Sequence, residues 1–211
     1  MELIPAPATL MQLFVTEIYR TELADTSADP LLTRLDTACR RIAATDAAGQ
    51  DWSREHGYLG YTSYASIDNL TDRDQAFTDL KRLLDAQIAV YAGLIELDLR
   101  RKTPQLAGFW INALDPLGAH SGHIHPNSAF SGTLYIDVPE GSGALQFEDP
   151  RMSRMMCAPP RFTNAQLFRR TGLGVEPRRG TLLLWESWLR HEVALNRATG
   201  TRLSLSFNYT V

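Results

Sequence analysis

Several features that define common protein classes are scarce or missing in this 211-residue chain. Its two cysteines, Cys39 and Cys157, lie far apart without a CxxC spacing and fit reduced thiols better than a disulfide framework. Its apolar runs are far shorter than the roughly 20 residues of a membrane helix, and its first residues lack the pattern of a secretory signal. We therefore expect a cytoplasmic protein without a membrane partner.

A strong excess of charge of either sign is also missing. The formal net charge is -3, and lysine and arginine are spread along the chain, so no basic surface that follows a nucleic-acid backbone is expected. With 44% hydrophobic residues, a chain of this length can bury one good core. The sequence predicts a single domain, 1–211, that binds no nucleic acid. It leaves the oligomeric state open, a homodimer included.

The first half of the chain, residues 1–104, is predicted to form a helical support region. Asp29-Pro30 resembles a helix cap and first turn, and apolar residues follow at helical spacing as far as Ile42. A longer helix with one apolar face is predicted from Phe77 to Ile95, after a capping pattern that ends at Asp74. The short apolar run of residues 13–19 favours a strand that joins a later sheet, although a helix also fits it.

The second half, residues 105–211, changes to short runs of β-branched and aromatic residues that glycine, proline, asparagine and aspartate separate. This texture is typical of many short strands. The candidate strands cover residues 109–114, 130–138, 144–147, 180–185, 191–195 and 202–209. We therefore predict a mainly β protein of the α+β class, with a sheet or barrel in its second half and helices packed against it.

The most informative pattern is Gly122-His123-Ile124-His125-Pro126. Alternate side chains of an extended segment point to one face, so His123 and His125 could reach one metal ion from one strand. A third ligand must come from another strand, and His191 is the natural candidate because it follows a turn and a hydrophobic strand. Imidazole suits iron, zinc, copper or nickel. Histidines that only satisfy buried hydrogen bonds would give the same pattern.

Two further patterns accompany the histidines. His120 is expected on the loop that enters this segment, close to the ligands or to a substrate. In the last candidate strand, strict alternation places Arg202, Ser204, Ser206 and Asn208 on one face. An arginine with hydroxyls beside a metal could hold a carboxylate, because its planar guanidinium forms paired hydrogen bonds. A polar stripe that faces solvent remains the alternative.

At these residues the chain resembles the iron(II)- and 2-oxoglutarate-dependent oxygenase superfamily, and within it a poorly characterised family with an HxHPxSxxSGxxY core. The core pattern runs here from His123 to Tyr135. The resemblance covers about half of the chain well and the helical half only loosely. The other matching segments, in order, are residues 109–112, 145–151, 177–180, 191–193, Asn196 and 202–204.

The resemblance implies a double-stranded β-helix, that is a jelly-roll and cupin-like core, at residues 105–211. It implies iron(II) bound by His123, His125 and His191, with 2-oxoglutarate as co-substrate and molecular oxygen as oxidant. Arg202 and Ser204 would hold the far carboxylate of 2-oxoglutarate. Tyr135 and Asn112 would add hydrogen bonds, and His120 and Asn208 would lie around the ligands. The reaction would oxidise a small-molecule or peptide substrate that the sequence does not identify.

The chain departs from the superfamily in one respect, because His125 stands where an aspartate or glutamate is usual. Three imidazoles leave the metal its full charge, which a dianionic co-substrate could balance. Glu148 or Asp149 could supply a carboxylate, although a structural role suits them better. Two alternatives therefore stay open: a cupin-like three-histidine enzyme whose substrate binds the metal directly, and a non-catalytic module whose histidines hold a structural zinc or no metal.

The long stretch of residues 151–174 contains no motif. Its three methionines, Met152, Met155 and Met156, fit either an adaptable apolar surface or, as we expect, part of the core. Of the tryptophans, Trp110, Trp185 and Trp188 could line a cavity, although core positions are more usual for such residues. Substrate specificity is expected in this stretch and in the helical half.

Overall fold

The computed structural model describes residues 9–211. Three helices come from the first half of the chain: α1 (Asp29–Thr45), α2 (Ala47–Glu55) and α3 (Gln75–Leu94). One short strand precedes α1, another lies between α2 and α3, and eight more strands follow α3. The ten strands are β1 (Tyr19–Glu22), β2 (Gly60–Thr62), β3 (Gln105–Leu114), β4 (His120–His123), β5 (Phe130–Asp137), β6 (Leu145–Glu148), β7 (Gly172–Val175), β8 (Thr181–Glu186), β9 (His191–Val193) and β10 (Arg202–Thr210).

The strands form two antiparallel sheets. The larger has the order β1-β8-β5-β10-β3-β2, and the smaller has the order β4-β9-β6-β7. Side chains from both sheets pack together in one buried cluster between them, for example Tyr135 and Trp185 of the larger sheet against Phe147 and Val193 of the smaller. This arrangement of two facing sheets is a jelly roll. It confirms the predicted fold class, a mainly β core with helices packed against it.

The helices cover the outer face of the larger sheet. The apolar faces of α1 and α3 form one large cluster with Leu203, Leu205 and Phe207 of β10. Because side chains alternate along a strand, the intervening residues of β10 point to the opposite face, between the two sheets. Arg202, Ser204 and Ser206 accordingly line a cavity there. Strand β10 thus packs against the helices with one face and contributes polar side chains to the cavity with the other.

Several boundaries differ from the sequence-based expectation. The N-terminal strand was predicted at residues 13–19 but is formed by Tyr19–Glu22, which pairs with β8. Asp29 does not cap α1, because the cap position is Ala28 and the Asp29 carboxylate pairs with Arg179. Asp74 does cap α3, since its side chain accepts a hydrogen bond from Ala76 N. The elements α2, β2 and β7 were not predicted, and β4 ends at His123, earlier than the extended segment expected to carry both His123 and His125.

Among residues 9–211, no helix combines the length and the apolar character needed to cross a membrane.

Candidate metal centre

The two sheets bring His123, His125 and His191 together. His123 is the last residue of β4 and lies directly opposite His191, the first residue of β9, in the antiparallel pair. His125 was predicted on the same strand as His123 but lies two residues beyond its end. Even so, one ring nitrogen of each histidine lies within 4.8 Å of the other two. Such convergence of three imidazoles on one point is the geometry that a metal ion requires.

Backbone carbonyls fix the orientation of two of the three rings. His123 Nδ1 lies 2.7 Å from Ser121 O, and His191 Nδ1 lies 2.8 Å from Leu189 O. A carbonyl oxygen only accepts, so each Nδ1 carries a proton, and in the neutral ring Nε2 is then the unprotonated nitrogen. An unprotonated Nε2, with Nδ1–H hydrogen-bonded behind it, is the form in which histidine binds metals.

A chain of polar side chains contacts the third ring. Asn208 Nδ2 lies 3.3 Å from His125 Nδ1, and Asn208 Oδ1 accepts a hydrogen bond from Ser131 Oγ at 2.8 Å. Ser131 Oγ in turn lies 2.7 Å from Ser187 Oγ. A half-turn of the Asn208 amide reverses the donors and acceptors along this chain and presents an oxygen to Nδ1–H of His125. Asn208, predicted to lie around the ligands, is therefore in direct contact with one of them.

Burial keeps the rings of His125 and His191 neutral. Desolvation, followed by the influence of neighbouring histidines, lowers the pKa of His125 from 6.5 to about 4. Desolvation is also the largest cause that lowers the pKa of His191 to about 4. A metal ion binds neutral imidazole, so at neutral pH no proton has to leave these two rings before a metal binds.

The group contains no carboxylate within the part of the chain that the structure describes. Both candidates that could have supplied one are paired elsewhere. The Asp149 carboxylate accepts two hydrogen bonds from the Arg151 guanidinium, at 2.9 and 2.7 Å, and Glu148 lies 3.4 Å from Arg190. Three donors also fall short of the four that a closed structural zinc site uses, so positions remain for other ligands.

The histidines border a cavity of about 70 Å³ between the sheets, and Arg202 lies on the same cavity. Arg202 is only 2% exposed. Its Nη1 donates to Gly143 O at 2.9 Å, whereas its Nε has no hydrogen-bond partner. Among the described residues, no carboxylate pairs with it. An unpaired buried charge is costly, so a site of this kind fits an anionic ligand.

A second buried donor without a hydrogen-bond partner also indicates that a ligand binds in this cavity. Trp185 Nε1 and Arg202 Nε are the two buried side-chain donors that lack a hydrogen bond among residues 9–211. Both residues line this one cavity, and the Trp185 ring lies 4.8 Å from the His191 ring. Buried polar groups in native proteins are nearly always hydrogen-bonded. The donors therefore match the acceptor atoms of a small molecule bound beside the histidines.

The remaining predicted site residues lie on the same walls. Ser204 of β10 stands opposite Asn112 on one side and Tyr135 on the other. Asn112 Nδ2 donates to Ser206 Oγ at 3.0 Å. Tyr135 is fully buried, with its ring centroid 5.6 Å from the Arg202 guanidinium, and burial raises its pKa to about 12. All of these side chains can donate or accept hydrogen bonds toward the cavity.

His120 was expected on a loop but begins strand β4. Its Nε2 lies 3.0 Å from the Tyr58 hydroxyl, and burial together with the charge of Arg202 lowers its pKa to about 4. Tyr58 and Thr62, whose hydroxyl donates to Asn112 Oδ1 at 3.1 Å, come from the helical half and were missed in the sequence. Their only sequence signal is the Gly/Tyr/Ser-rich connection at residues 57–66.

Part of the chain is similar to a known family of proteins. Residues 108–208 match the sequence model of the family described as "Putative 2OG-Fe(II) oxygenase". This matched segment contains all three histidines and Arg202. Iron(II) and 2-oxoglutarate are the metal and co-substrate of that family. No curated protein matches the chain significantly.

Solved structures share the fold at low sequence identity. A 2OG-Fe(II) oxygenase family oxidoreductase from Burkholderia pseudomallei is 17% identical, with a TM-score of 0.58, over 94% of this chain and 85% of the other. A prolyl-4-hydroxylase from Pseudomonas putida is 20% identical, with a TM-score of 0.56, over 93% and 94%. HygX from Streptomyces hygroscopicus, solved with nickel and 2-oxoglutarate, is 12% identical, with a TM-score of 0.59, over 93% and 82%. These identities establish a common architecture.

Proposed function

We propose that His123, His125 and His191 bind iron(II) and that Arg202 binds the far carboxylate of 2-oxoglutarate, so that the chain acts as a 2-oxoglutarate-dependent dioxygenase. The observation that carries this proposal is the buried guanidinium of Arg202, which faces the same small cavity as the three imidazoles and lacks a partner for Nε. An anion with two carboxylates fits it, because one end meets the metal and the other meets Arg202.

The size of the cavity fits a co-substrate with one end at the metal and the other at Arg202. About 10–15 Å³ of such space holds one water molecule. A cavity of about 70 Å³ therefore has room for an ion and part of a small dicarboxylate, but not for a large substrate as well. Ser204, next to Arg202 on the same face of β10, supplies a hydroxyl to the same carboxylate. Asn112 and Tyr135 complete the polar wall on either side of it.

The protein residues set the charge and the proton positions of the site. Three neutral imidazoles keep the full double charge of the metal, which the two carboxylates of the co-substrate offset. His120 is neutral at pH 7, so it adds no positive charge that would weaken the interaction of Arg202 with an anion. Tyr135 keeps its proton and can donate it in a hydrogen bond. When bound, iron(II) supplies the oxidative decarboxylation of 2-oxoglutarate, which is coupled to oxidation of a substrate.

The test measures this decarboxylation without a substrate. Iron(II)-loaded protein supplied with 2-oxoglutarate and oxygen is expected to form succinate slowly. His191→Ala should abolish succinate formation, and Arg202→Ala should raise the KM for 2-oxoglutarate much more than it lowers kcat. Arg178→Ala, at an exposed arginine outside the cavity, is the control and should leave both constants unchanged. Equal succinate formation by the His191→Ala variant would contradict the proposal.

A second candidate is a cupin-like enzyme in which the substrate binds the metal directly and no co-substrate takes part. The absence of a carboxylate from the ligand group of the described residues favours it, since three-histidine sites occur in that class. The two candidates differ in their use of Arg202. A substrate-binding metal without a co-substrate would tolerate Arg202→Ala with unchanged oxygen consumption, whereas the dioxygenase would not.

The proposal also covers the setting of the enzyme. We assign residues 1–211 to one domain, because α1 and α3 share a buried cluster with the larger sheet. Both cysteines are free thiols, Cys39 buried and Cys157 exposed, which supports a reducing compartment such as the cytoplasm. The partners of the enzyme are molecular oxygen and a small-molecule or peptide substrate.

A further inference from the structure

One segment of the chain differs sharply from the rest in composition. Residues 151–171, here named the arginine loop, join β6 to β7 and contain five arginines and no aspartate or glutamate. The whole chain has a formal net charge of -3. Lysine and arginine are spread along most of the sequence, yet about a quarter of them lie in this one segment. The cluster comprises Arg151, Arg154, Arg161, Arg169 and Arg170.

Most of these charges have no acidic partner. Arg151 pairs with Asp149, and Arg170 Nε donates to Ala165 O at 2.9 Å. Within residues 9–211, no carboxylate forms an ion pair with Arg154, Arg161, Arg169 or Arg170. The arginine loop is therefore a strongly cationic surface of an otherwise slightly acidic protein. Such a surface attracts anions.

The arginine loop is also apolar. Its methionines were expected in the core, but Met156 is 91% exposed and Met152 is 44% exposed, so that expectation was wrong. Phe162 is 86% exposed. Large apolar side chains gathered on a surface mark a binding site more often than isolated ones do. Methionine in particular suits ligands of varied shape, because its side chain is flexible and polarizable.

The loop lines an open cavity of about 460 Å³. The cavity is lined by apolar residues, among them Met152, Met155 and Phe162, and by Arg161 and Arg170. Pockets for small organic ligands usually measure about 300–1,000 Å³ and have apolar walls with a few charged groups. This cavity falls in that range, whereas the cavity at the histidines, at about 70 Å³, is far smaller.

Strand register places the loop beside the histidines. Phe147, near the end of β6, stands opposite His191 in the smaller sheet, and Glu148 N donates to Arg190 O at 3.0 Å. The loop starts three residues after Glu148. Its two ends are tied together there, since Asp149 N donates to Thr171 O at 2.9 Å. The arginine loop thus leaves the sheet at the end that carries the metal ligands.

From these observations we infer that the arginine loop binds the substrate, and that the substrate is a small molecule with an anionic group and an apolar body. Arg161 and Arg170 bind the anion, since guanidinium pairs well with carboxylate and phosphate oxygens. The apolar walls take the body of the molecule, and its far end reaches toward the histidines. This inference rests on the proposed function, because it makes the loop the specificity element of that active site.

The first test is binding to the metal-free protein, which is independent of any chemistry at the histidines. Octanoate is the probe, compared by calorimetry with 1-octanol, octylamine and acetate. We expect octanoate to bind at least about tenfold more tightly than the other three. Replacing two arginines together, Arg161→Gln with Arg170→Gln, should weaken octanoate binding at least about tenfold, whereas the control Arg178→Gln should leave it unchanged. Equal binding of octanoate and 1-octanol would overturn the inference.

The second test asks whether the bound probe lies near the metal. With manganese(II) in the protein, the NMR signals of the octanoate methyl end should broaden by paramagnetic relaxation, and with zinc(II) they should not. Octanoate that binds through the arginines without this broadening would overturn the substrate role. If the proposed metal site itself failed, manganese(II) would bind the wild type no more tightly than it binds the His191→Ala variant, while octanoate would still bind both, and the two failures are thereby distinguished. Equal binding to anionic lipid vesicles and to octanoate would also contradict a small-molecule site.

Discussion

At the scale of single residues, Arg202 decides the chemistry of the site. It combines almost complete burial with an unpaired Nε on the cavity of the histidines. Loss of one member of a buried, hydrogen-bonded charge pair costs at least about 2 kcal/mol, which corresponds to about 30-fold in affinity. Arg202→Ala should therefore weaken 2-oxoglutarate binding to the manganese(II)-loaded protein at least 30-fold, measured by calorimetry. Metal affinity should stay the same; an equal loss of both would contradict a role limited to the co-substrate.

The same residue should lower the stability of the protein when no anion is bound. A buried guanidinium without an anion is costly, and an apolar side chain of similar volume removes that cost. We expect the metal-free Arg202→Met variant to melt at the same temperature as the wild type or higher. Addition of metal and 2-oxoglutarate should raise the Tm of the wild type by mass action and raise that of the variant much less. A variant that melts well below the wild type would show that Arg202 has a structural role.

Asn208 determines how His125 is oriented for the metal. Contacts of this kind behind a ligand typically affect metal affinity about 10–100-fold when they are removed. Asn208→Ala should therefore weaken metal binding by a factor in this range. Asn208→Asp, which offers His125 Nδ1–H a permanent acceptor, should retain the affinity. Thr210→Ala, on the same strand outside the cavity, is the control. Equal losses in the alanine and aspartate variants would show that only packing matters here.

His120 makes the stability of the metal-free protein depend on pH. Burial, followed by the charge of Arg202, lowers its pKa from 6.5 to about 4, so the unfolded chain takes up this proton more readily than the folded one. The free energy of unfolding consequently decreases as the pH falls from 6.5 toward 4. His120→Gln removes one such group, and its stability should fall less steeply, by at most about 1.4 kcal/mol per pH unit. Urea unfolding across this window measures the slopes, and parallel curves would contradict the account.

At the scale of elements, close packing of β5 between β8 and β10 limits what its centre can hold. A Cβ on Gly132 would clash with the Phe207 ring and lie 2.7 Å from Leu184. Overpacking of this kind typically costs about 1–3 kcal/mol. Gly132→Ala should lower the free energy of unfolding by an amount in this range, measured with urea. Gly174→Ala in β7, where the nearest atom is at 3.7 Å, is the matched control and should change it little.

Elements with a clear period were predictable from the sequence. The strands at residues 130–138 and 202–209 and the helix that follows Asp74 were placed correctly to within a few residues, because each buries a continuous apolar face. Strand β7 could not be predicted in this way, and β4 was expected only as the extended segment that carries His123 and His125. Each has only four residues, rich in glycine or histidine, and their pairing with β9 and β6 depends on the rest of the sheet. Strand β1 is also set by its partner β8 rather than by its own apolar pattern.

The same limits apply to the candidate site. The spacing of His123 and His125 was visible in the sequence, and alternation along β10 indicated which of its residues face inward. Tyr58 and Thr62 could not be found, since they contact His120 and Asn112 only because α2 packs against the edge strand β2, which pairs with β3. The methionines of the arginine loop were misplaced for a similar reason. Composition alone does not distinguish an apolar surface from a core.

At the scale of the whole molecule, the two sheets and the helices have different roles in forming the site. The helices hold the outer face of the larger sheet, so that its inner face can carry polar groups on a rigid support. The smaller sheet brings two histidines to that face and ends at the arginine loop. We propose that the small cavity at the histidines holds the co-substrate and that the larger cavity of the arginine loop holds the substrate.

The most direct test of this account is the optical spectrum of the iron(II)-loaded protein titrated with 2-oxoglutarate without oxygen. Chelation of iron(II) by the 2-oxo acid end gives a weak metal-to-ligand charge-transfer band in the visible range. The account predicts this band in the wild type, its loss in His191→Ala, and a higher 2-oxoglutarate concentration for its half-maximum in Arg202→Ala. Iron bound at the histidines without any such band would contradict it.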